Sequence, residues 1–281
     1  MEVLKVKGLK KTYPAFALKE VSFTLEQGKI VGFIGRNGAG KSTTLNSLFH
    51  FIHPESGEVL FWGKDIRENE MEIKQRVGFV SGAVSYYPNK KLKSITSVTK
   101  TFYSQWDEEA YRKYMDLFRL DENKTPKQLS MGMKVKYAIV LALSHKAELL
   151  ILDEPTSGLD PVSRDELLDI FIQLNEEGKT IFFSTHITSD LEKCADRIVY
   201  IKNGEIMEDM ELTEFVNSYK VVEYDPAKLR EEDKALLVGA KRSKTGMTAL
   251  VRTSQASALS LPKTDADLES IMVHLERGDE R

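Results

Sequence analysis

The sequence predicts an α/β domain whose central sheet is mostly parallel. Three short runs are almost entirely apolar, as expected of strands buried on both faces; they cover residues 29–34, 148–152 and 180–184. Stretches with the helical spacing of apolar residues lie between these runs. Alternation of buried strands with helices is typical of parallel sheets in which each crossover is a helix.

The N-terminal half begins with a predicted pair of strands. Residues 5–25 indicate strand, turn and strand, because apolar and polar residues alternate strictly from 21 to 25. After the first buried strand a helix is predicted from Lys41, because apolar residues recur there at helical spacing. A short strand at 77–80 and a mainly helical stretch at 86–120 follow.

The next segment continues the alternation. A helix is predicted at 130–145, before the second buried strand, and another at 163–178, before the third. Ser163 and Glu166 have the spacing of a capping box at the start of the latter helix. Residues 197–207 predict a hairpin that turns at an Asn-Gly pair.

The composition changes near Tyr219. From there on the chain is more polar, with weak strands at 221–224 and 248–251 and a final amphipathic helix at 265–275. No chemical motif stands out in this part. We therefore predict a main domain at 1–220 and a small α+β accessory domain at 221–281.

Composition excludes several classes of protein. Apolar residues make up 41% of the 281-residue chain, enough to build a core, so intrinsic disorder is excluded. The net charge of −3 gives no general attraction to nucleic acid, and none is expected as a partner. Cys194 is the single cysteine, so no intrachain disulfide is possible. We expect no membrane span and no signal segment, hence a cytoplasmic protein.

Residues 35–42, Gly-Arg-Asn-Gly-Ala-Gly-Lys-Ser, match a phosphate-binding loop between a buried strand and a helix. Glycines let backbone N–H groups turn toward phosphate oxygens, and the helix N-terminus adds partial positive charge. Lys41 can reach the β- and γ-phosphates, and the Ser42 hydroxyl can bind Mg²⁺. The alternative is a glycine-rich turn with an exposed lysine. The residues expected to contact the nucleotide are Gly35, Asn37, Gly38, Gly40, Lys41, Ser42 and Thr43.

Two acidic residues end the second buried strand. Asp153 would lie at the edge of the sheet, where it could hold Mg²⁺ directly or through water. Glu154 follows it and could accept a proton from an attacking water molecule. Acidic residues often end strands at the solvent boundary without any catalytic role. The pair indicates a catalytic site because a phosphate-binding loop precedes it in the chain.

Together these motifs resemble those of ATP-binding-cassette (ABC) ATPases, the nucleotide-binding subunits of ABC transporters, over residues 3–219. Tyr13 matches the family's aromatic residue that stacks on adenine. Residues 129–133 stand at the family's L-S-G-G-Q signature, keeping Ser130 and Gly132 but with methionine at two positions. The resemblance implies a P-loop NTPase fold with an antiparallel β subdomain and a helical subdomain at about 84–147.

Two further matches support the resemblance, and one position departs from it. Asp160 ends a Ser-Gly-Leu-Asp segment that matches the loop crossing the dimer interface. His186 follows the third buried strand and matches the switch histidine beside the γ-phosphate. Gly82 falls where the family has a glutamine that contacts Mg²⁺ and senses the membrane partner. Glycine has no side chain to do this, so Ser81 or a water molecule could substitute, or the coupling could run mainly through the backbone.

The resemblance implies a two-fold dimer with two ATP molecules between the subunits. Each site would combine Lys41, Ser42, Asp153, Glu154 and His186 of one chain with Ser130 and Gly132 of the other. Glu154 and His186 are the expected catalytic residues, and Ser42 and Asp153 the expected Mg²⁺ ligands. The partner subunit could be a second copy or a homologous chain.

A transporter ATPase needs a separate permease, which would hold this subunit on the inner face of the membrane. Aromatic residues of the helical subdomain could form a groove for a permease helix, or they could be ordinary core. These residues are Tyr86, Tyr87, Phe102, Tyr103 and Trp106.

The altered signature, the altered glutamine position and the accessory domain together are similar to bacterial exporters of antibiotics and amphipathic peptides, such as phenol-soluble modulins. Two other hypotheses remain: a soluble ABC ATPase, for example in iron–sulfur assembly, and a nucleotide-gated regulatory protein. The ATPase sequence does not identify the substrate.

Overall fold

The computed structural model describes residues 1–81, 87–244 and 246–278. Gly82 and Tyr86, for which the sequence suggested roles, lie outside the described residues. The chain forms two compact units, Met1–Asp209 and Met210–Arg281. This division comes earlier in the chain than the sequence-based boundary after residue 220.

The first part of the first unit contains six strands and two helices. In chain order these are β1 (Glu2–Tyr13), β2 (Phe16–Glu26), β3 (Ile30–Ile34), α1 (Lys41–Leu48), β4 (Ser56–Phe61), β5 (Lys64–Asp65), α2 (Ile66–Arg76) and β6 (Val77–Ser81). Strands β2, β1, β4 and β5 form, in that order, an antiparallel sheet. The predicted strand pair is confirmed, and so is the antiparallel subdomain.

The rest of the first unit contains helices α3 to α7 and strands β7 to β10, with 3₁₀ turns at Lys100–Phe102 and Pro126–Gln128; β10 extends past Asp209, the last residue of the unit. The helices are α3 (Leu92–Thr99), α4 (Glu108–Leu117), α5 (Met131–Ser144), α6 (Pro161–Glu176) and α7 (Thr188–Cys194). The strands are β7 (Leu149–Asp153), β8 (Thr180–Thr185), β9 (Arg197–Lys202) and β10 (Glu205–Glu211).

The central sheet has the order β10-β9-β3-β8-β7-β6. Within it, strands β9, β3, β8, β7 and β6 run parallel to one another, as the sequence predicted. The hairpin from β9 to β10 turns at Asn203 and Gly204, which both have positive φ, as a tight turn requires. Because β3, β8 and β7 are adjacent and parallel, the loops after them meet at one edge of the sheet.

The core of the first unit joins its two sheets. The rings of Phe23 on β2, Phe33 on β3 and Phe182 on β8 lie 5.3–5.8 Å apart, centroid to centroid. Aromatic pairs at this spacing add to the stabilisation from burial alone. This packing fixes the antiparallel subdomain against the strands that carry the phosphate loop.

The start of one helix differs from prediction because another residue caps it. Helix α6 begins at Pro161, since the Asp160 carboxylate accepts hydrogen bonds from the backbone N–H groups of Val162 and Ser163. Ser163 is therefore not the cap, and Glu166 pairs with Lys136 instead. The predicted helical stretch 86–120 is also divided, by the 3₁₀ turn between α3 and α4.

The second unit is an antiparallel sheet of order β12-β13-β11-β14. The predicted final helix begins three residues late, because Asp267 caps α10 and residues 263–265 form strand β14. Among the described helices of the chain, none has the length and hydropathy needed to cross a bilayer. The elements of the second unit are α8 (Leu212–Asn217), β11 (Tyr219–Tyr224), α9 (Glu231–Lys234), β12 (Val238–Arg242), β13 (Met247–Arg252), a 3₁₀ turn (Thr253–Ala258), β14 (Lys263–Asp265) and α10 (Leu268–Arg277).

Candidate functional site

The phosphate loop connects the end of β3 to the start of α1. Gly40 caps α1 with φ of 116°, a conformation that favours glycine. A Cβ at this position would lie 2.8 Å from the side chains of both Leu18 and Phe16. At Gly35, a Cβ would come within 2.3 Å of the Ile201 carbonyl oxygen. Glycine is therefore required at both positions for the loop to pack as it does.

Lys41 stands in the first turn of α1 with only 5% of its surface exposed. Its Nζ donates hydrogen bonds to the carbonyl oxygens of Gly35, at 2.7 Å, and Arg36, at 3.3 Å. The same atom lies 3.2 Å from Oε1 of Glu154. The loop thus wraps around the lysine head group, which is poised between the loop and a carboxylate.

Glu154 follows β7 in a left-handed conformation, with φ of 49°. Such a backbone is uncommon outside glycine and is often found at functional sites. Its N–H donates to Oγ of Ser184 at 2.8 Å, and that hydroxyl donates to Oδ1 of Asp153 at 2.6 Å. A single buried hydroxyl on β8 therefore holds both acidic residues at the end of β7.

His186 follows β8, the strand beside β7. Its Nδ1 lies 2.9 Å from Oε2 of Glu154. Glu154 therefore contacts Lys41 through one carboxylate oxygen and His186 through the other. Three residues that are far apart in the sequence meet because the strands before them are neighbours in the sheet.

A cavity of about 420 Å³ opens at this edge of the sheet. Phe16 lines it, although the sequence did not predict this. Phe16 pairs with Tyr13 across the β1–β2 turn, and this closeness to the predicted aromatic residue could have identified it from the sequence. Tyr13 is 39% exposed, with Nζ of Lys11 5.8 Å from its ring centroid, and does not line the cavity. The lining residues are Phe16, Asn37, Gly38, Gly40, Lys41, Ser42, Thr43, Glu154, Ser157 and His186.

Ser130, Gly132 and Asp160 form a second group that does not line this cavity. The Ser130 hydroxyl caps α5 by accepting a hydrogen bond from the N–H of Met133 at 3.2 Å. A Cβ at Gly132 would lie 3.6 Å from Leu159, so the start of α5 faces the loop before α6. Hydrogen bonds from Ser163 lower the pKa of the Asp160 carboxyl below its usual value.

Comparison with known proteins places the chain in a family. Residues 18–157 match the family model described as ABC transporter. A bacitracin transport ATP-binding protein, BcrA, of Bacillus licheniformis is 33% identical over 74% of this chain and 69% of its own. The linearmycin resistance ATP-binding protein LnrL of Bacillus subtilis is 34% identical over 73% of this chain and 68% of its own.

Solved structures agree. An ATP-binding subunit of an ABC transporter is 29% identical with a TM-score of 0.68, covering 75% of this chain and 91% of that one. A dimeric ATP-binding cassette, MJ0796, in a post-hydrolysis state bound to ADP and Pi, is 26% identical with a TM-score of 0.66, covering 74% and 98%. By the family model and these relatives, the chain, with its phosphate loop, paired acids and histidine at one sheet edge, belongs to the ATPase subunits of ABC transporters.

Proposed function

We propose that two copies of this chain, or one copy and a homologue, close around two ATP molecules and power a separate membrane permease that exports peptides or drugs. The observation that supports catalysis most directly is the Glu154 carboxylate, which contacts Lys41 at 3.2 Å and His186 at 2.9 Å beside the cavity. A lysine, a carboxylate and a histidine so arranged can bind a phosphate and activate a water molecule next to it.

The ATP phosphates would occupy the cavity above the N-terminus of α1. Backbone N–H groups of the loop and the helix end favour negative charge there. Lys41 would exchange its contact with Glu154 for the β- and γ-phosphates, which frees one carboxylate oxygen. Phe16, which lines the cavity, or Tyr13 would contact the adenine base. Asn37, Gly38 and Thr43 also line the cavity and would contact the nucleotide.

Ser42 and Asp153 fit an Mg²⁺ ion. Ser42 is exposed and lines the cavity, and Asp153 is an oxygen ligand at the end of β7 whose Oδ1 accepts a hydrogen bond from Ser184. Mg²⁺ prefers hard oxygen ligands and usually keeps several water or phosphate oxygens, which two protein ligands permit. When bound, the ion would neutralise phosphate charge.

Glu154 would act as the general base. With Lys41 on the phosphates, its carboxylate can accept a proton from water while Nδ1 of His186 stays on the other oxygen and fixes its orientation. The left-handed backbone at Glu154 aims the carboxylate into the cavity rather than along the strand. His186 is then positioned to sense the γ-phosphate directly.

The Ser130 and Gly132 surface would complete the partner's site. The N-terminus of α5 provides N–H groups for a γ-phosphate, with Ser130 at its cap. Met131, which stands where the family has glycine, is 41% exposed and would contact the partner. Asp160, at the cap of the neighbouring helix, would cross the same interface. A two-fold axis makes the two sites identical in a homodimer.

The permease would bind aromatic residues that the fold leaves on the surface. Tyr87 is 74% exposed and Phe102 is 68% exposed, as a docking face requires. Tyr103 instead stacks on His145 with ring centroids 3.8 Å apart, and Trp106 packs near Tyr111, so both are half-buried by contacts within the chain.

Phe51, which the sequence did not single out, belongs to the same proposal. It is 58% exposed, and its ring centroid lies 5.8 Å from that of Phe79 on β6. Strand β6 is the last element before the helical subdomain. Binding to a permease would place the subunit on the inner face of the cell membrane. Export of peptides or drugs is proposed because relatives are named for bacitracin transport and linearmycin resistance.

The first test is Glu154→Gln. The neutral amide cannot accept the proton, so we expect ATP binding to persist, turnover to fall at least about 10³-fold, and a dimer to accumulate with Mg-ATP. Sedimentation velocity would measure the dimer, with Glu109→Gln, an exposed residue of α4, as the matched control. A monomer at saturating Mg-ATP would refute the composite site.

The second test asks for the permease. Tagged Glu154→Gln in Mg-ATP should co-purify a multi-span protein from native membranes, and Phe51→Ser with Phe102→Ser should abolish its capture. Co-expression of that protein with this chain should then raise resistance to a membrane-active peptide antibiotic. Recovery of soluble partners alone would reject the transport assignment for this chain.

A further inference from the structure

A buried carboxylate lies between the loops that follow β7 and β8. Asp190, in the first turn of α7, is completely buried. Its Oδ2 accepts hydrogen bonds from the hydroxyl groups of Thr156, at 2.6 Å, and Thr185, at 3.3 Å. Its Oδ1 accepts one from Nε of Arg164 on α6. The donors thus come from three different parts of the first unit.

Two of these donors lie next to the proposed catalytic residues. Thr156 comes two residues after Glu154, on the same loop. Thr185 comes immediately before His186, and its hydroxyl oxygen also accepts a hydrogen bond from the N–H of Ile187 at 3.0 Å. The backbone on both sides of His186 is therefore tied to the carboxylate that holds the Glu154 loop.

This arrangement resists small displacements of either loop. Hydrogen bonds to a charged group are stronger than neutral ones, and a buried carboxylate that loses a donor pays a large desolvation penalty. Helix α7 is also fixed to the sheet, because Leu191 packs directly against Gly32 of β3. If one loop moved alone, Asp190 would lose a donor, so the two loops should keep one relative position.

We propose that Asp190 is a positioning residue that holds the Glu154 and His186 loops in register through its hydrogen bond with Thr156. Neither Asp190 nor Thr156 lines the cavity. The inference rests on the proposed roles of Glu154 and His186 in hydrolysis. It predicts that the hydrogen bond matters for the chemical step more than for ATP binding.

Thr156→Val tests this directly, because valine has nearly the shape of threonine but no hydroxyl. A displacement of about 1 Å in a catalytic group can cost about 10²-fold in rate. We expect kcat for ATP hydrolysis to fall at least about tenfold with KM within about twofold of wild type. Thr156→Ser keeps the hydroxyl and should restore kcat to within about threefold of wild type.

A loss of folding stability could also lower kcat, so the stability of each variant is measured as well. Both variants would be melted with and without Mg-ATP, and rates measured well below the melting temperature. If Thr156→Val does not fold, Arg164→Gln withdraws a donor from the other oxygen of the same carboxylate, at a partly exposed side chain, and should show the same loss of kcat.

The outcomes separate the two proposals. If Thr156→Val, or Arg164→Gln in its place, keeps kcat within about twofold while Glu154→Gln loses turnover, the role of Asp190 is overturned and the catalytic role of Glu154 stands. A fall in kcat that Thr156→Ser fails to restore also overturns it, since the hydroxyl is then irrelevant. If Glu154→Gln hydrolyses ATP normally, the proposed function fails first.

Discussion

The contact between Gly32 and Leu191 allows a quantitative test of how the site is held. Leu191 on α7 is fully buried, and its Cδ2 lies only 1.9 Å from where a Cβ at Gly32 would stand. Gly32→Ala therefore forces Leu191 or all of α7 to move. Overpacking of this kind typically costs about 1–3 kcal/mol. Leu191→Ala leaves a cavity instead and should cost about 2–5 kcal/mol.

The double variant, Gly32→Ala with Leu191→Ala, distinguishes a direct contact between the two residues from independent effects of the two changes. The methyl group at position 32 would occupy space that the leucine vacates, so the combined loss should be smaller than the sum by at least about 1 kcal/mol. Urea unfolding followed by tryptophan fluorescence would measure it, because the two tryptophans, Trp62 and Trp106, both lie in the first unit. Losses that add to within about 0.5 kcal/mol would refute the contact as the reason for glycine at this position.

Three further predictions follow from single contacts. Gly40→Ala should weaken ATP binding about a hundredfold, because the added methyl group strains the left-handed backbone by about 1–2 kcal/mol and overpacks against its neighbours. Calorimetry would measure the affinity, and Gly38→Ala, whose methyl group would meet open space, should lose clearly less affinity. Burial lowers the pKa of His145 below 6.5, so the unfolded chain binds protons more tightly and stability should fall as the pH falls below that value. His145→Asn should remove this part of the pH dependence of the melting temperature; an unchanged dependence would exclude His145 as its source. Tyr114→Phe removes a 3.0 Å hydrogen bond to Glu177 and should cost about 1 kcal/mol in urea unfolding, and no loss would mean that solvent replaces it.

Local patterns were enough to predict the central strands and most of the motifs. Strand β3 and helix α1 flank residues 35–42 as predicted, because an apolar run and a glycine-rich turn are encoded within a dozen residues. Helix starts were less predictable. Asp160 and Asp267 cap α6 and α10, but several nearby polar residues could have served, and only backbone geometry selects one.

The β4–α2 region was missed altogether. Strand β4 and helix α2 have weak patterns, and α2 buries only Ile66 and Ile73 against the unit. Their structure depends on pairing with β1 and on packing rather than on propensity. Phe16 and Phe51 were missed for a related reason, since exposure at a cavity or on a surface is decided by neighbours that come from elsewhere in the chain.

The sequence by itself determined which chemical groups the proposed site contains: a phosphate loop with Lys41, an acidic pair with Glu154, and a histidine after a strand. Each of these is a short segment whose meaning is carried by residue type and spacing. The tertiary structure decided which of them touch. Parallel pairing of β7 with β8 brings Glu154 against His186, and the buried Asp190 carboxylate accepts hydrogen bonds from both of their loops, because a carboxylate removed from water needs hydrogen-bond donors and only the fold brings them together.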